Sequence, residues 1–442
     1  MNKVKCKLSE LVEVKNGSTP STAREDFYEG DIVWITPKDL SNNKSKYVYS
    51  SERRITKAGF DSCSTSLLPI GSVLLSSRAP IGLLAICAIE TCTNQGFKNL
   101  VIKKNKINNE YLYYWLKTKV KYIDSLGTGT TFKEVSKGVI ENLEIELPEN
   151  IKDQQKIASV LSALDSKIEL NNRINAELEA MAKTLYDYWF VQFDFPDKNG
   201  KPYKTSGGKM EWNEELKREI PEGWEVKSID YYADVIDPHP SHRAPLEVLN
   251  GFPFAGIGDI DAYGNIDINK ARVINEEFVL KQERDYTINE YSIGYGRVGT
   301  VGKVVKLRKQ PFRFALSPTM AIINPKKSLL PSFVYFTVTN PTFFQWVNKY
   351  TSGSTRPAIG IQHLRTIPVI KPKVYTENLL EKFENIIESS FSQTDILNKE
   401  NQKLTELRDW LLPMLMNGQV KVKDEKETEL SMAAEPKMKY GK

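Results

Sequence analysis

Two stretches of this chain obey the same narrow rule. From 157 to 189, every fourth and then every third residue gives Ile157, Leu161, Leu164, Ile168, Asn171, Asn175, Leu178, Ala182, Leu185 and Trp189. A second series, read from Leu379, passes through Phe383, Ile386, Ser390, Gln393, Leu397, Glu400, Leu404, Leu407, Leu411 and Met414. Steps of four and three keep one seam on one side of a helix, and so narrow a seam is best buried against another helix. No Pro or Gly interrupts the first series. Both seams turn polar midway, which lowers stability but fixes register and partner. The spacing predicts two long helices packed on each other as a rigid strut, the first about 50 Å long at ~1.5 Å per residue. The plainer alternative is two surface helices, each lying on its own domain.

A chain of 442 residues exceeds one ordinary domain and predicts about two to four. Its 40% hydrophobic and 26% charged residues suit a globular protein with real cores. No apolar run approaches the ~18 residues of a membrane span. The start, MNKVKCKLSELVEV, lacks a signal core. Cys6, Cys63, Cys87 and Cys92 have no zinc or redox spacing. These features predict a cytoplasmic protein with reduced thiols.

Net charge is only +5, but its distribution is uneven. Between 291 and 376 there is no Asp or Glu, against Arg297, Lys303, Lys306, Arg308, Lys309, Arg313, Lys326, Lys327, Lys349, Arg356, Arg365, Lys371 and Lys373. Uncompensated charge of this density predicts a polyanionic partner such as nucleic acid. In a weaker version, from 91 to 133, Glu110 and Asp124 oppose Lys98, Lys103, Lys104, Lys106, Lys117, Lys119, Lys121 and Lys133. The alternative is a solvated basic face with no partner.

The order along the chain is a globular domain at 1–150, a central helix at 151–192, a linker at 193–222, a second domain at 223–373, a distal helix at 374–416 and a polar tail at 417–442, expected to be disordered. In the first domain, DIVWITPKDL, LPIGSVLLSSRAPIGLLAI and NLVIKK read as strands, and EYLYYWLKTKVKYI reads as a helix. The second domain repeats the first. YIDSLGTGTTFKEVSKGVIENLEIELP (122–148) aligns without a gap on WVNKYTSGSTRPAIGIQHLRTIPVIKP (346–372), placing Gly129 on Gly353 and Pro148 on Pro372. Upstream, Trp34 to Leu40 parallels Phe254 to Ile260, and SSRAPIGLL with Arg78 parallels YGRVGTVGK with Arg297. The predicted fold is therefore α+β, two similar mixed domains alternating with two long helices in a pseudo-twofold arrangement. Two similar readers on one rod can address two separated half-sites of a duplex.

Catalytic patterns are matched only as strings. Gly294, Gly296 and Gly299 fit a dinucleotide fingerprint, yet a strand-like run follows and no acid appears in the next seventy residues. Asn340-Pro341-Thr342-Phe343 differs by one residue from the loop that grips a flipped adenine in amino-methyltransferases, but no glycine-rich cofactor loop precedes it. A helix break is the competing reading. Pro196-Asp197 with Glu215 and Lys217 fits a nuclease pattern, placed in a linker with no flanking strand. His239, His242 and Asp237 could hold a metal, although Pro238 and Pro240 favour an ordinary loop. His363 has no neighbour in sequence for acid–base work. No catalytic or metal residue is predicted.

The run DQQKIASVLSALDSKIELNNRINAELEAMAKTLYDYWFVQFD resembles the central helical region of specificity subunits of type I restriction–modification enzymes. IPEGWEV is similar to the family's entry into a second target-recognition domain, and SSRAPIGLLAI with TNQGFKNL to a target-recognition core. The distal helix fits the family's second helical region. The resemblance spans essentially the whole chain. It implies a non-catalytic subunit in which each target-recognition domain reads one half of a bipartite, asymmetric site in double-stranded DNA. The two helices would pack as an antiparallel coiled coil that sets the gap. It further implies two methyltransferase subunits using S-adenosylmethionine, motor-endonuclease subunits using ATP and Mg, and no cofactor in this chain.

Candidate phosphate-facing residues, shared by both copies, are Arg78, Arg297 and the Thr-rich turns with Thr130, Lys133 and Arg356. Candidate base readers, which differ between copies, are Gln95 and Lys98 in the first and Arg313, Gln362, His363 and Arg365 in the second. Each could instead be a salt-bridged or solvated surface residue. Arg297→Ala is expected to weaken DNA binding. A rival reading is a stand-alone methyltransferase or nuclease with unrecognised motifs, for which S-adenosylmethionine binding by the isolated chain would speak. A scaffold with no DNA role is a third.

Overall fold

In the computed structural model the described residues are 2–43, 45–129, 133–241, 244–261, 263–326, 331–372 and 377–422. Thr130, His242, Lys327, Lys373 and the tail from 423 lie outside them. The chain forms two compact units, Met1–Arg173 with Lys399–Lys442, and Ile174–Asn398.

The first unit opens with β1 (Lys3–Lys7), α1 (Leu8–Leu11), β2 (Val12–Asn16), β3 (Tyr28–Ile35), α2 (Pro37–Asn42), β4 (Tyr47–Val48), β5 (Arg54–Ile55) and α3 (Lys57–Asp61). It continues with β6 (Val73–Ser77), β7 (Ile81–Cys87), β8 (Cys92–Thr93), β9 (Phe97–Ile102), α4 (Asn109–Ser125), α5 (Lys137–Glu141), β10 (Glu144–Pro148) and the start of α6 (Ile151–Tyr186). One sheet runs β2-β9-β6-β7-β4, a smaller one β5-β3-β8, and β1 pairs with β10. The apolar run of α4, with Tyr111, Leu112, Tyr114, Trp115 and Leu116 all buried, makes the centre of the core. Asn108 caps that helix by accepting from the Tyr111 amide at 2.9 Å, which satisfies an otherwise unpaired donor.

After a five-residue π-helical turn at Asp187–Val191, the second unit contains β11 (Met210–Asn213), β12 (Arg218–Pro221), β13 (Glu225–Ser228), α7 (Ile229–Tyr232), β14 (Ala233–Ile236), β15 (Phe252–Ala255), β16 (Arg272–Ile274), α8 (Glu276–Asp285) and β17 (Ile293–Gly296). Then come β18 (Val304–Lys306), β19 (Ala315–Leu316), β20 (Met320–Pro325), α9 (Pro331–Thr339), α10 (Pro341–Tyr350), α11 (Ile361–Arg365), β21 (Pro368–Lys371) and α12 (Glu377–Asn417). Its sheets, β14-β20-β17-β18, β16-β15-β19 and β13-β21, repeat the strand order of the first unit, without a counterpart of β4. Even the senses agree: β3 is parallel to β8 and β15 to β19. A local clamp recurs as well, the Thr36 amide donating to Asp39 at 2.8 Å and the Gly256 amide to Asp259 at 2.7 Å.

Within each unit a segment of α6 packs on a segment of α12. In the first, Ile157, Ala158 and Leu161 share a core with Leu412, Leu415 and Met416, with Leu164, Ile168, Leu404 and Leu411 half-buried beside them. Asp165 pairs with Arg408 at 2.8 Å, and Asn171 donates to Glu400 at 2.7 Å and Asn401 at 2.9 Å. Rising numbers on one helix meet falling numbers on the other, so the segments run antiparallel. In the second unit Asn175 donates to Asn398 at 2.8 Å. There Ala182, Tyr186, Trp189 and Phe190 close on Leu379, Phe383 and Ile387, and Leu397 is buried while Leu178 and Leu185 are half-buried.

Two expectations change. The distal seam is displaced at two places: Ile386 is 49% exposed while its neighbour Ile387 is 1% exposed, and Leu407 is 43% exposed while its neighbour Arg408 turns to Asp165. Phe383 to Ile387 is a four-residue step, which a helix of 3.6 residues per turn needs periodically to keep its seam facing one partner. Apolar residues at both 386 and 387 hid that step. The stretch 193–222 is also more than a linker. Phe195 stacks on Trp224 and Phe193 meets it edge-on in the core, and β11 pairs with β12. Pro413 lies inside α12, near its end.

The register can be tested with neighbouring residues. Ile387→Ala should destabilise the chain by about 2–5 kcal/mol, and Ile386→Ala by less than about 0.5 kcal/mol, measured by urea unfolding.

Candidate nucleic-acid interface

Both units end in the same backbone knot. In the first, β6 runs past Ser77 into Arg78, Ala79 and Pro80 before β7 returns. The Val135 amide donates to the Ser77 carbonyl at 3.0 Å, and Thr128 and Glu134 exchange both backbone hydrogen bonds at 2.9 Å. In the second, the Ile359 amide donates to the Arg297 carbonyl at 2.9 Å, and Ser352 and Ala358 exchange bonds of 2.9 and 2.8 Å. Gly353 holds a φ of +90°, and a Cβ there would stand 2.8 Å from the Arg356 carbonyl. That position requires glycine.

These bonds correct the alignment of the two arginines. Ser77 matches Arg297, and Arg78, bridged to Glu134, matches Val298, bridged to Ala358. Alternation along a strand then puts the two arginines on opposite sides. Arg78 is half-exposed. Arg297 is turned inward, its side chain 7% exposed, and binds Asp237 at 2.9 Å.

Each knot buries one cation against one acid, but from different positions. In the first unit Lys98, on β9, donates to Glu134 at 3.0 Å, and Ser77 is small and buried. By strand register, Ala321 takes the place of Lys98 and Ala358 that of Glu134 in the second unit. There the buried pair is Arg297 with Asp237, which continues β14 where Asn16 ends β2.

Comparison with known proteins gives this frame an identity. A family model described as type I restriction modification DNA specificity domain matches residues 2–180 and 221–406. The chain is 34% identical over 425 residues to the type I restriction enzyme MjaIX specificity subunit of Methanocaldococcus jannaschii, covering 95% of this chain and 93% of that one. This chain belongs to the specificity subunits of type I restriction–modification systems. The HindI specificity subunit of Haemophilus influenzae is 24% identical over 364 residues, covering 71% of this chain and 76% of its own. The fold is shared with the crystal structure of a type I restriction–modification S subunit from M. genitalium at a TM-score of 0.52, with 15% identity, 94% of this chain and 96% of that one covered. Membership assigns this specificity subunit DNA target recognition and scaffolding rather than catalysis, with no cofactor of its own. The stand-alone enzyme reading is set aside.

In this specificity subunit the acid-free window is not uncompensated, because acids arrive from elsewhere in the second unit. Arg308 binds Asp395 at 2.9 Å, and Arg313 binds Glu276 at 2.7 Å and Glu283 at 3.4 Å. Lys326 and Lys371 lie 3.9 and 3.8 Å from Asp234 and Glu225. Lys303 donates to the Ile257 carbonyl at 2.8 Å, and Arg365 to the Val235 carbonyl at 3.0 and 2.8 Å. Lys306 lies over the rings of Phe391 and Tyr335; burial, with Arg308 nearby, lowers its pKa. Among the described residues, Lys309, Lys349 and Arg356 remain exposed and make no ion pair, Lys349 lying over the ring of Trp346. Local sequence hides this balance because the acids come from elements distant in the chain, such as α8 and α12.

The predicted contact residues therefore scatter. Arg356, Gln362 and His363 are exposed on the second knot and the adjoining α11, with His363 stacked on Tyr350 at 5.2 Å between centroids. Lys133 is exposed beside Asp124 at 3.0 Å. Gln95 is exposed and accepts from the Thr19 hydroxyl. Lys98 and Arg297 are buried, Arg365 is half-buried on the Val235 carbonyl, and Arg313 is paired with Glu276 and Glu283 of α8. Glu134 was not among the sequence candidates, although the ungapped repeat sets it against Ala358, and Asp237, read as a possible metal ligand, pairs with Arg297.

The near-matches to catalytic motifs become architecture. Gly296 is required because a Cβ would meet the Thr300 carbonyl at 2.2 Å. Asn340 caps α10 and donates to Asp187 at 2.9 Å. Contrary to the linker reading, Glu215 and Lys217 do have flanking strands, in the turn between β11 and β12. Among the described residues no three His, Cys, Asp or Glu side chains cluster as a metal site, and no helix is long and apolar enough to cross a membrane.

Removing one member of a buried pair leaves the other uncompensated. Arg297→Ala should cost the second unit about 3–5 kcal/mol of stability, seen by thermal and urea unfolding, in place of the loss of DNA contact expected from sequence.

Proposed function

We propose that the two knots are the DNA-facing ends of the two target-recognition domains, each addressing one half of a bipartite, asymmetric site in double-stranded DNA. The observation that carries this reading is one backbone frame built twice with different side chains. A shared frame suits positioning on phosphates, and divergent side chains suit the reading of two different half-sites. Arg78 and Lys133 serve the first half-site and Arg356, Gln362 and His363 the second.

A scaffolding surface is available on the long helices. In the first unit Leu170, Leu407 and Trp410 are exposed, the last at 56%, and in the second unit Met181, Ile386 and Ile396. Apolar residues left outside a seam suit burial by a partner. The reading assigns them to two methyltransferase subunits, which bring S-adenosylmethionine, with motor-endonuclease subunits bringing ATP and Mg.

Methylome sequencing of cells carrying the chain with its methyltransferase partner should reveal one bipartite methylated motif, and its absence would count against the reading. Arg78→Ala and Arg356→Ala in that complex should each reduce the slope of log affinity against log salt by about 0.9. Trp410→Glu should reduce co-elution with the methyltransferase while the chain alone unfolds at an unchanged temperature.

A further inference from the structure

Glu134 is an acid on a turn that, in the reading above, faces a polyanion. The matching residue of the second unit is Ala358, so the backbone frame does not demand an acid there. Two cations hold it. The Lys98 ammonium, on a side chain 8% exposed, donates to Oε1 at 3.0 Å, and the Arg78 guanidinium stands 3.8 Å from Oε2. The second distance is beyond hydrogen-bond length. One oxygen is thus anchored from beneath by a buried lysine. The other keeps its accepting capacity on a side chain 37% exposed.

A carboxylate only accepts hydrogen bonds. In the major groove guanine offers N7 and O6 and thymine O4, acceptors that repel such a group, and adenine sets an N7 acceptor beside its amine. Cytosine presents its N4 amine alone. We infer that Glu134 is a specificity-determining residue that accepts from the N4 amine of a cytosine in the half-site addressed by the first unit. Lys98 acts as its positioning residue, and Arg78 offsets phosphate repulsion. The inference rests on the knots facing DNA. The second unit has no counterpart, since its acid, Asp237, is turned inward to Arg297.

The test uses the methyltransferase complex and duplexes that vary one base pair at a time in the methylated motif. Glu134→Gln keeps an acceptor for Lys98 and adds a donor suited to adenine. It should lower the preference for C·G at one position of one half-site about tenfold, admit A·T there, and leave the other half-site unchanged. Lys98→Met with Glu134→Leu removes the pair without stranding the buried lysine's charge and should lose the same preference while remaining folded by circular dichroism. Unchanged base preference in both variants would overturn the inference, as would a uniform gain in affinity at every sequence, the mark of simple repulsion. A half-site without a C·G pair would do so too. If Arg78→Ala and Lys133→Ala also leave the salt slope unchanged, the knot does not face DNA. If they lower it while Glu134→Gln keeps its preference, the inference about Glu134 fails alone.

Discussion

The structure depends on the burial of α6 against α12. Neither mixed domain closes its core with its own strands and short helices. The first recruits Ile157, Ala158 and Leu161 from one helix and Leu412, Leu415 and Met416 from the other. The second draws on Tyr186, Trp189 and Phe190 with Phe383 and Ile387. Apolar burial at the two ends of the seam supplies stability. In the first unit Asn171 with Glu400 and Asn401, and in the second Asn175 with Asn398, supply registry, since a shifted pairing would leave these buried amides without partners.

On this base the duplicated domains keep their backbones and exchange their charges. Lys98 with Glu134 and Arg297 with Asp237 do the same structural work from different positions. A buried ion pair is tolerated wherever both members are present and is costly when one is missing. Pairs are therefore gained or lost whole, and each exchange changes which charges remain at the surface. One consequence is an acid, Glu134, at a knot whose counterpart carries alanine. The two copies of the frame thereby acquire different surfaces without a change of fold.

Much of this was legible beforehand. The central seam could be read residue by residue as far as Ala182, beyond which Tyr186 and Phe190, neighbours of the expected Leu185 and Trp189, are buried as well. The distal seam was misread at Ile386 because Ile387 stood beside it and a helix does not announce where it takes a four-residue step. The duplication was plain across 122–148 and 346–372, where no gap intervenes. It slipped by one at Arg78 and Arg297, where the connecting turns differ. The stretch 193–222, rich in Gly and Lys, concealed Phe193 and Phe195 in the core. Contact residues were the least legible, since the charge of Arg313, Arg365 or Lys98 says nothing about which carbonyl or carboxylate will meet it.

The amino-acid order by itself determined the helices, the duplicated mixed domains and the family, because periodicity, turn residues and ungapped repetition are local properties that survive without coordinates. The tertiary structure alone decided which cations are spent on acids, which side of a strand each arginine occupies and which neighbour enters a seam. Those outcomes depend on partners hundreds of positions away and on alternation across a sheet, and a one-residue offset reverses them.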